Sequence, residues 1–417
     1  MRRKIIIAVA VVVVLLAAGA AAAILVVGHR HPSGGLVTNL QGISVQTEVT
    51  SSASTPETTT SAASSGPAES CWPVFGGSPR RSLYQPVNLG KPGRVRWFLS
   101  MPNVMEYPPV YCDGRLFVNL EAGKVVAVNA AKGRIVWTRQ VHGKTPSSPA
   151  IDGRRLLVGS TAGTLTAFSV SDGQRLWVLS TGDDIESSPV VVDGLVYFGT
   201  VGGKVFAVST RTGRVRWVYN TGAKITASPT ILGNRLFVTN YAGAFLCLRA
   251  TNGTKLWQTY VQRNVFQSES FYASASTDGS RVYSIARSGK VVAVSAYTGK
   301  IVWTAHQGGY GYSTPAVAGG YVYSGGFDGY LYAYRAGSGR RVWRHYLGGE
   351  ILAPPLVVGR LILVSTLARR TYVLTRSSGK VVAEYKEGKY SPGIATNRRY
   401  FLSLNGRLIA YRGSRTG

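Results

Sequence analysis

Tryptophan recurs along this chain with a fixed period. Trp97, Trp137, Trp177, Trp217 and Trp257 stand 40 residues apart, and after a six-residue insertion Trp303 and Trp343 resume the spacing. The next slot holds Ala383, so eight equivalent positions carry seven tryptophans. A repeat of this length is a supersecondary unit that cannot bury its apolar face alone and must stack on its neighbours.

Other columns keep step with the tryptophans. A glycine stands four residues before each slot, from Gly93 to Gly379, and a small residue ten before it: Ala127, Ala167, Ala207, Cys247, Ala293 and Ala333, then Val373. A second glycine column runs from Gly123 to Gly329 and breaks at Arg369, and a proline column runs from Pro109 to Pro355 with Ala275 as its exception. Within Ser187 to Trp217, four short apolar runs alternate with Asp193-Gly194, Gly202-Gly203 and Thr212-Gly213 turns. Four antiparallel strands per repeat predict an all-β, eight-bladed β-propeller over residues 93–417. After Ala383 the chain supplies only three more strands, Gly393–Thr396, Tyr400–Leu404 and Arg407–Arg412. The missing fourth stands ahead of the first full repeat, at Arg94–Trp97, and is expected to complete the last blade. Closure of that kind removes exposed sheet edges at the seam.

The segments AVNAAKGRIVW, AFSVSDGQRLW, AVSTRTGRVRW and AVSAYTGKIVW resemble the PQQ-like, quinoprotein-type propeller repeat, and the chain is most similar to its non-enzymatic, BamB-like members. The resemblance implies that Trp97, Trp137, Trp177, Trp217, Trp257, Trp303 and Trp343 lie on outer strands and dock each blade against a glycine turn of the next. Enzymatic members of the family are dehydrogenases of alcohols or sugars that hold PQQ and calcium on the ring axis, many with a vicinal cysteine pair. This chain has no adjacent cysteines, and its inter-strand loops are short apart from the insertion Thr259–Tyr272. Its propeller histidines, His142, His306 and His345, fall in different repeats, and there is no HExxH, P-loop, GxSxG or CxxCH motif. The expectation is a binding or assembly scaffold with no catalytic residue, cofactor or metal ligand. The alternative is a PQQ- and calcium-dependent dehydrogenase.

Ahead of the repeats, Met1–Lys4 carries a basic cluster and residues 5–27 run without a charged or polar side chain. At ~1.5 Å per residue such a run spans the ~30 Å hydrocarbon core. A cleavable signal peptide is the competing reading, but its apolar region is ordinarily only ~7–15 residues. The segment reads as a single-pass helix in a bacterial cytoplasmic membrane, with residues 1–4 inside and the propeller extracytoplasmic. Residues 32–70, rich in Ser, Thr, Ala and Pro, read as a disordered tether. Residues 71–92 form a non-repeated preamble whose Trp72 and Phe75 are suited to plug the ring. Its Cys71 is expected to form a disulfide with Cys112, which oxidising surroundings would permit. Cys247 occupies a small-residue slot and is expected to be buried and inert.

The formal charge is +29, nearly all of it after Cys71. A field of that sign attracts anionic lipid, anionic polymer or acidic protein. Nucleic acid suits the charge but not the location, so a protein or an anionic envelope polymer is the expected partner. Residues just ahead of the proline column are expected to ring the channel mouth, and they make Glu106, Glu186, Tyr272, Tyr312, Glu350 and Tyr390 the candidate ligand residues. Carboxylates and tyrosines in that pattern suit a sugar, a peptide or a cation. The competing reading is ordinary solvated loops.

Overall fold

The computed structural model describes residues 34–47, 69–264, 267–404 and 406–413. Residues 1–4 and the apolar run 5–27 lie outside them. No helix among the described residues is long and apolar enough to cross a membrane.

Eight four-stranded antiparallel sheets form the ring. From inner to outer strand, blade 1 comprises Val110–Cys112, Arg115–Leu120, Lys124–Asn129 and Arg134–Gln140. Blade 2 runs from Ala150–Asp152 to Arg175–Ser180, blade 3 from Val190–Val192 to Val215–Asn220, and blade 4 from Thr230–Leu232 to Lys255–Tyr260. Blade 5 runs from Ser276–Thr277 to Ile301–His306, blade 6 from Ala316–Ala318 to Arg341–Tyr346, and blade 7 from Leu356–Val358 to Val381–Tyr385. Blade 8 is assembled from both ends of the ring: Ile394–Ala395, Arg399–Leu404 and Arg407–Gly413 pair outward to Pro92–Ser100, with Ala410 opposite Trp97. The closing strand predicted at Arg94–Trp97 is therefore present and longer. The insertion after Trp257 folds as a small hairpin, Gln262–Asn264 with Gln267–Ser268.

The columns have packing causes. Each tryptophan sits directly opposite the small residue on its neighbouring strand, as Ala167 opposite Trp177 and Ala207 opposite Trp217. A bulge follows the small residue, which turns the outer strand so that the indole reaches the next blade. There the ring covers a glycine: a Cβ on Gly213, at φ 70°, would lie 2.9 Å from Trp177 Cδ2. The indole N–H then donates to a backbone carbonyl of that blade, Trp177 to Thr210 at 3.0 Å and Trp217 to Ala250 at 2.8 Å. All seven tryptophans make this bond. Blade 7 breaks the rule in a compensated way. Its slot is Ala383, and the residue opposite grows to Val373. Leu89 packs on Gly413, and the Tyr385 ring meets Tyr411 at 5.7 Å, so the seam from blade 7 to blade 8 is filled by other side chains.

The preamble crosses the axis and is bound by the inner strands around it. Trp72 bridges Tyr111 of blade 1, and the Pro73, Pro79, Arg80, Ser82 and Leu83 carbonyls accept from Ile151, Ile231, Thr277, Val317 and Val357. Tyr84–Gln85 runs parallel to the inner strand of blade 7. Arg81 is fully buried and donates to the Phe75, Ser188 and Pro229 carbonyls. Desolvation lowers its pKa, but a guanidinium stays charged at neutral pH. Cys71 and Cys112 form the expected disulfide.

The stretch read as a tether differs from that reading at two places. Ser44–Thr47 adds as a fifth strand to the outer edge of blade 2, with Val45 opposite Leu179, and Gly35–Leu36 adds to blade 3, with Leu36 opposite Tyr219. Ser and Thr are compatible with an extended strand once a free edge supplies the backbone partners, which composition alone does not reveal. At its other end Glu69 is anchored by Arg399, Thr396 and Tyr111. Residues 32–33 and 48–68 lie outside the described residues.

Candidate functional site

The preamble closes one end of the axial channel, so the other end is a blind pocket of about 460 Å³ with Phe75 in its floor. Of the six predicted ligand residues, Glu106, Glu186, Tyr272, Tyr312 and Tyr390 line it. Glu350 does not: it is exposed and contributes only a backbone carbonyl, to Leu367. Leu352, two residues later and ahead of blade 7, lines the wall instead.

Three kinds of surface meet in the pocket. One wall is aromatic. Tyr241 and Tyr272 lie 4.3 Å apart between ring centroids, and Tyr272 and Tyr312 lie 5.2 Å apart edge to face. Behind them Tyr310 and Phe327 continue the cluster at 6.4 and 5.8 Å from Tyr312. Cations brace the outside of this wall, Lys224 over Tyr241 at 5.2 Å and Arg287 over Tyr310 at 5.5 Å. A second wall carries Glu106 and Glu186, neither in an ion pair among the described residues. Burial, and then the charge of Glu121, hold the Glu106 carboxyl above the usual carboxylate range. Tyr107 beside them is pushed up to about 12 by burial and by the two glutamates.

The third surface is a belt of hydroxyls. Ser148 N–H donates to Ser188 Oγ at 3.1 Å, Ser188 N–H to Ser228 Oγ at 2.9 Å, Ser228 N–H to Ser274 Oγ at 2.9 Å, and Ser274 N–H to Thr314 Oγ1 at 3.2 Å. Ser148 Oγ donates in turn to the Pro108 carbonyl at 2.8 Å, so the belt links blades 1 to 6. Ser228, Ser274 and Thr314 line the pocket. Each accepts a backbone N–H, which leaves its own O–H as a donor. Tyr241 and this belt were not among the predicted residues. The belt had a signal in the sequence, a Ser or Thr immediately ahead of the proline column. Tyr241 had none, because it reaches the axis from the turn between the second and third strands of blade 4.

The pocket does not suit the quinone and calcium of the enzymatic propellers. Ca²⁺ takes 6–8 oxygen ligands, and only two carboxylates line this wall. No lysine or arginine lines the pocket to meet an anionic quinone. The acid and thiol group that does converge among the described residues, Cys71, Cys112 and Asp113, contains the disulfide. Cys247 is buried, and burial pushes its thiol up to about 12, which leaves it protonated.

Comparison with known proteins gives the same architecture with divergent activities. Over 76% of this chain and 99% of the other, the fold matches BamB from Moraxella catarrhalis with a TM-score of 0.67 at 15% identity. A europium-containing methanol dehydrogenase matches with a TM-score of 0.66 at 13% identity, covering 77% of this chain and 86% of that one. Quinohemoprotein alcohol dehydrogenase from Comamonas testosteroni matches with a TM-score of 0.67 at 14% identity, covering 84% and 82%. Likeness at this identity concerns the fold alone. No curated protein sequence matches the chain. A family model described as "Outer membrane protein assembly factor BamB" matches residues 87–265 and 250–415, and on that extent the chain belongs to this propeller family.

Proposed function

We propose that this propeller is a non-enzymatic docking module, held outside the bacterial cytoplasmic membrane by residues 5–27, and that its blind axial pocket receives a neutral saccharide end of an envelope polymer. The observation that carries the reading is the meeting of three surfaces: a cluster of tilted and edge-to-face tyrosines, two carboxylates without an ion pair among the described residues, and a row of hydroxyls in the pocket wall. Tyrosine faces take the C–H side of a sugar ring, carboxylates accept from its hydroxyls, and the belt donates to its oxygens. The cations on the outer faces of the tyrosines disfavour a cationic ligand at the same wall. The basic surface assists by drawing in the anionic remainder of the polymer.

Calorimetric titration of the chain with soluble wall oligosaccharides is the test. Saturable binding is expected, weakened about tenfold by Tyr272→Ala. Absence of binding, together with a saturable response to PQQ plus Ca²⁺ that raises the melting temperature, would return the dehydrogenase reading. That reading draws on the equal fold likeness to the dehydrogenases and is opposed by the donor set of the pocket.

A further inference from the structure

The chain displays on itself how a blade edge takes an additional strand. In blades 2 and 3 the added strand sets an apolar residue opposite the side chain two positions after the tryptophan, Val45 opposite Leu179 and Leu36 opposite Tyr219. The same residue reaches over the seam to the glycine turn of the next blade. A Cβ on Gly213 would lie 3.1 Å from Val45, and one on Gly253 would lie 2.9 Å from Leu36. The backbone of the residue one after the tryptophan faces outward, and the Val218 carbonyl accepts from Val37 N–H at 2.9 Å. Two independent examples thus set three conditions: a large apolar residue two after the tryptophan, an outward backbone one after it, and a glycine turn covered locally by the tryptophan and by no other side chain of that strand.

The other six edges can be judged by these conditions. In blade 1 the residue two after the tryptophan is Arg139, which seals the seam by donating to the Gly173 and Asp172 carbonyls. In blade 4 it is Thr259, which donates to the Gly299 carbonyl at 2.6 Å. Blade 7 has no tryptophan, and its Tyr385 donates to the Pro92 carbonyl. Blades 5 and 6 offer the short Ala305 and the polar His345. Blade 8 alone offers a large aliphatic residue, Leu99, beside Gly133, whose near neighbours are atoms of Trp97. Its outer strand Pro92–Ser100 is also the longest of the eight, and it leaves Phe98 66% and Val95 45% exposed. Arg94 and Arg96 stand on the same edge, and Arg96 opens with Arg398 and Arg412 into an adjoining groove of about 730 Å³.

We propose that the outer edge of blade 8 is a strand-docking site for an acidic partner protein, which adds an extended segment of alternating apolar and acidic residues to Pro92–Ser100. Backbone pairing supplies affinity in such augmentation, and side-chain alternation supplies choice. The apolar residues of the segment cover Leu99 and the Gly133 turn, and its carboxylates stand across from Arg94 and Arg96, where opposite charges on facing strands stabilise the pair. The site lies on the outer rim and is independent of the axial pocket.

Fluorescence anisotropy with a labelled octapeptide of alternating valine and glutamate, titrated with the full chain, tests it. Saturable binding is expected, and a valine–lysine peptide should bind at least about tenfold more weakly. Phe98→Pro removes the outward N–H from an edge position, where proline is tolerated. It should abolish binding while leaving the thermal transition in place, whereas Thr138→Pro at the matching position of blade 1 should leave binding unchanged. Binding that survives Phe98→Pro, or a failure of the valine–glutamate peptide to bind the intact chain, would overturn the proposal. So would a dimer of the full chain that Phe98→Pro dissolves without any peptide binding, since the edge would then belong to a second copy.

Discussion

Trp177 shows at the scale of one residue how a repeat becomes a ring. It is buried to 2%, faces Ala167 in its own blade, covers Gly213 of the next and bonds the Thr210 carbonyl. Trp177→Ala should cost about 3–5 kcal/mol in chemical unfolding. At the odd slot, Ala383→Trp would press on Val373 and is expected to destabilise by about 1–3 kcal/mol, part of it recovered when Val373→Ala is added. Glu69 carries a pH dependence. Burial raises its carboxyl pKa, but the hydrogen bonds and charge of Arg399, with Thr396 and Tyr111, outweigh burial and hold it below the usual range. A depressed folded-state pKa stabilises above the unfolded value and loses that contribution as pH falls through the folded one. Acidification below the ordinary carboxylate range should therefore lower the melting temperature of the chain, and Glu69→Gln should flatten that slope.

Elements outside the repeat decide how the ring is sealed. The preamble supplies one hydrogen-bonding line across the inner strands, and the Cys71–Cys112 disulfide ties its start to blade 1. Reduction should lower stability by about 2–4 kcal/mol, and amide exchange should quicken first in residues 72–83, which rely on that tie. The fifth strands behave differently, because little of the core depends on them. Gln46 is exposed and stands opposite Val178, whose backbone faces the added strand, so Gln46→Pro should leave the thermal transition almost unmoved while removing exchange protection from the outer edge of blade 2. None of this added pairing was legible in residues 32–70, whose composition reads as a tether. The strands exist because blades 2 and 3 present free edges with Leu179 and Tyr219, and those edges lie more than a hundred residues further along the chain.

For the molecule as a whole, the period of 40 with its one insertion determined the number of blades, the four strands in each, and the split eighth blade. These follow from local rules: alternation, glycine turns, and a bulky residue that needs a small one opposite and a glycine beyond. Five of the six mouth residues were also readable, because a fixed offset within a repeat maps to a fixed radius in the ring. Glu350 failed where the chain ahead of blade 7 turns its side chain out to solvent and gives the wall to Leu352. Only the tertiary structure decided that the channel is blind, since that depends on the preamble finding hydrogen-bond partners in the inner strands of blades far apart in sequence. It alone also decided that, among the described residues, no strand is added to the edge of blade 8 while blades 2 and 3 each gain one. A single sequence carries its periodicities openly, but a contact between a non-repeated segment and the repeat has no period to betray it.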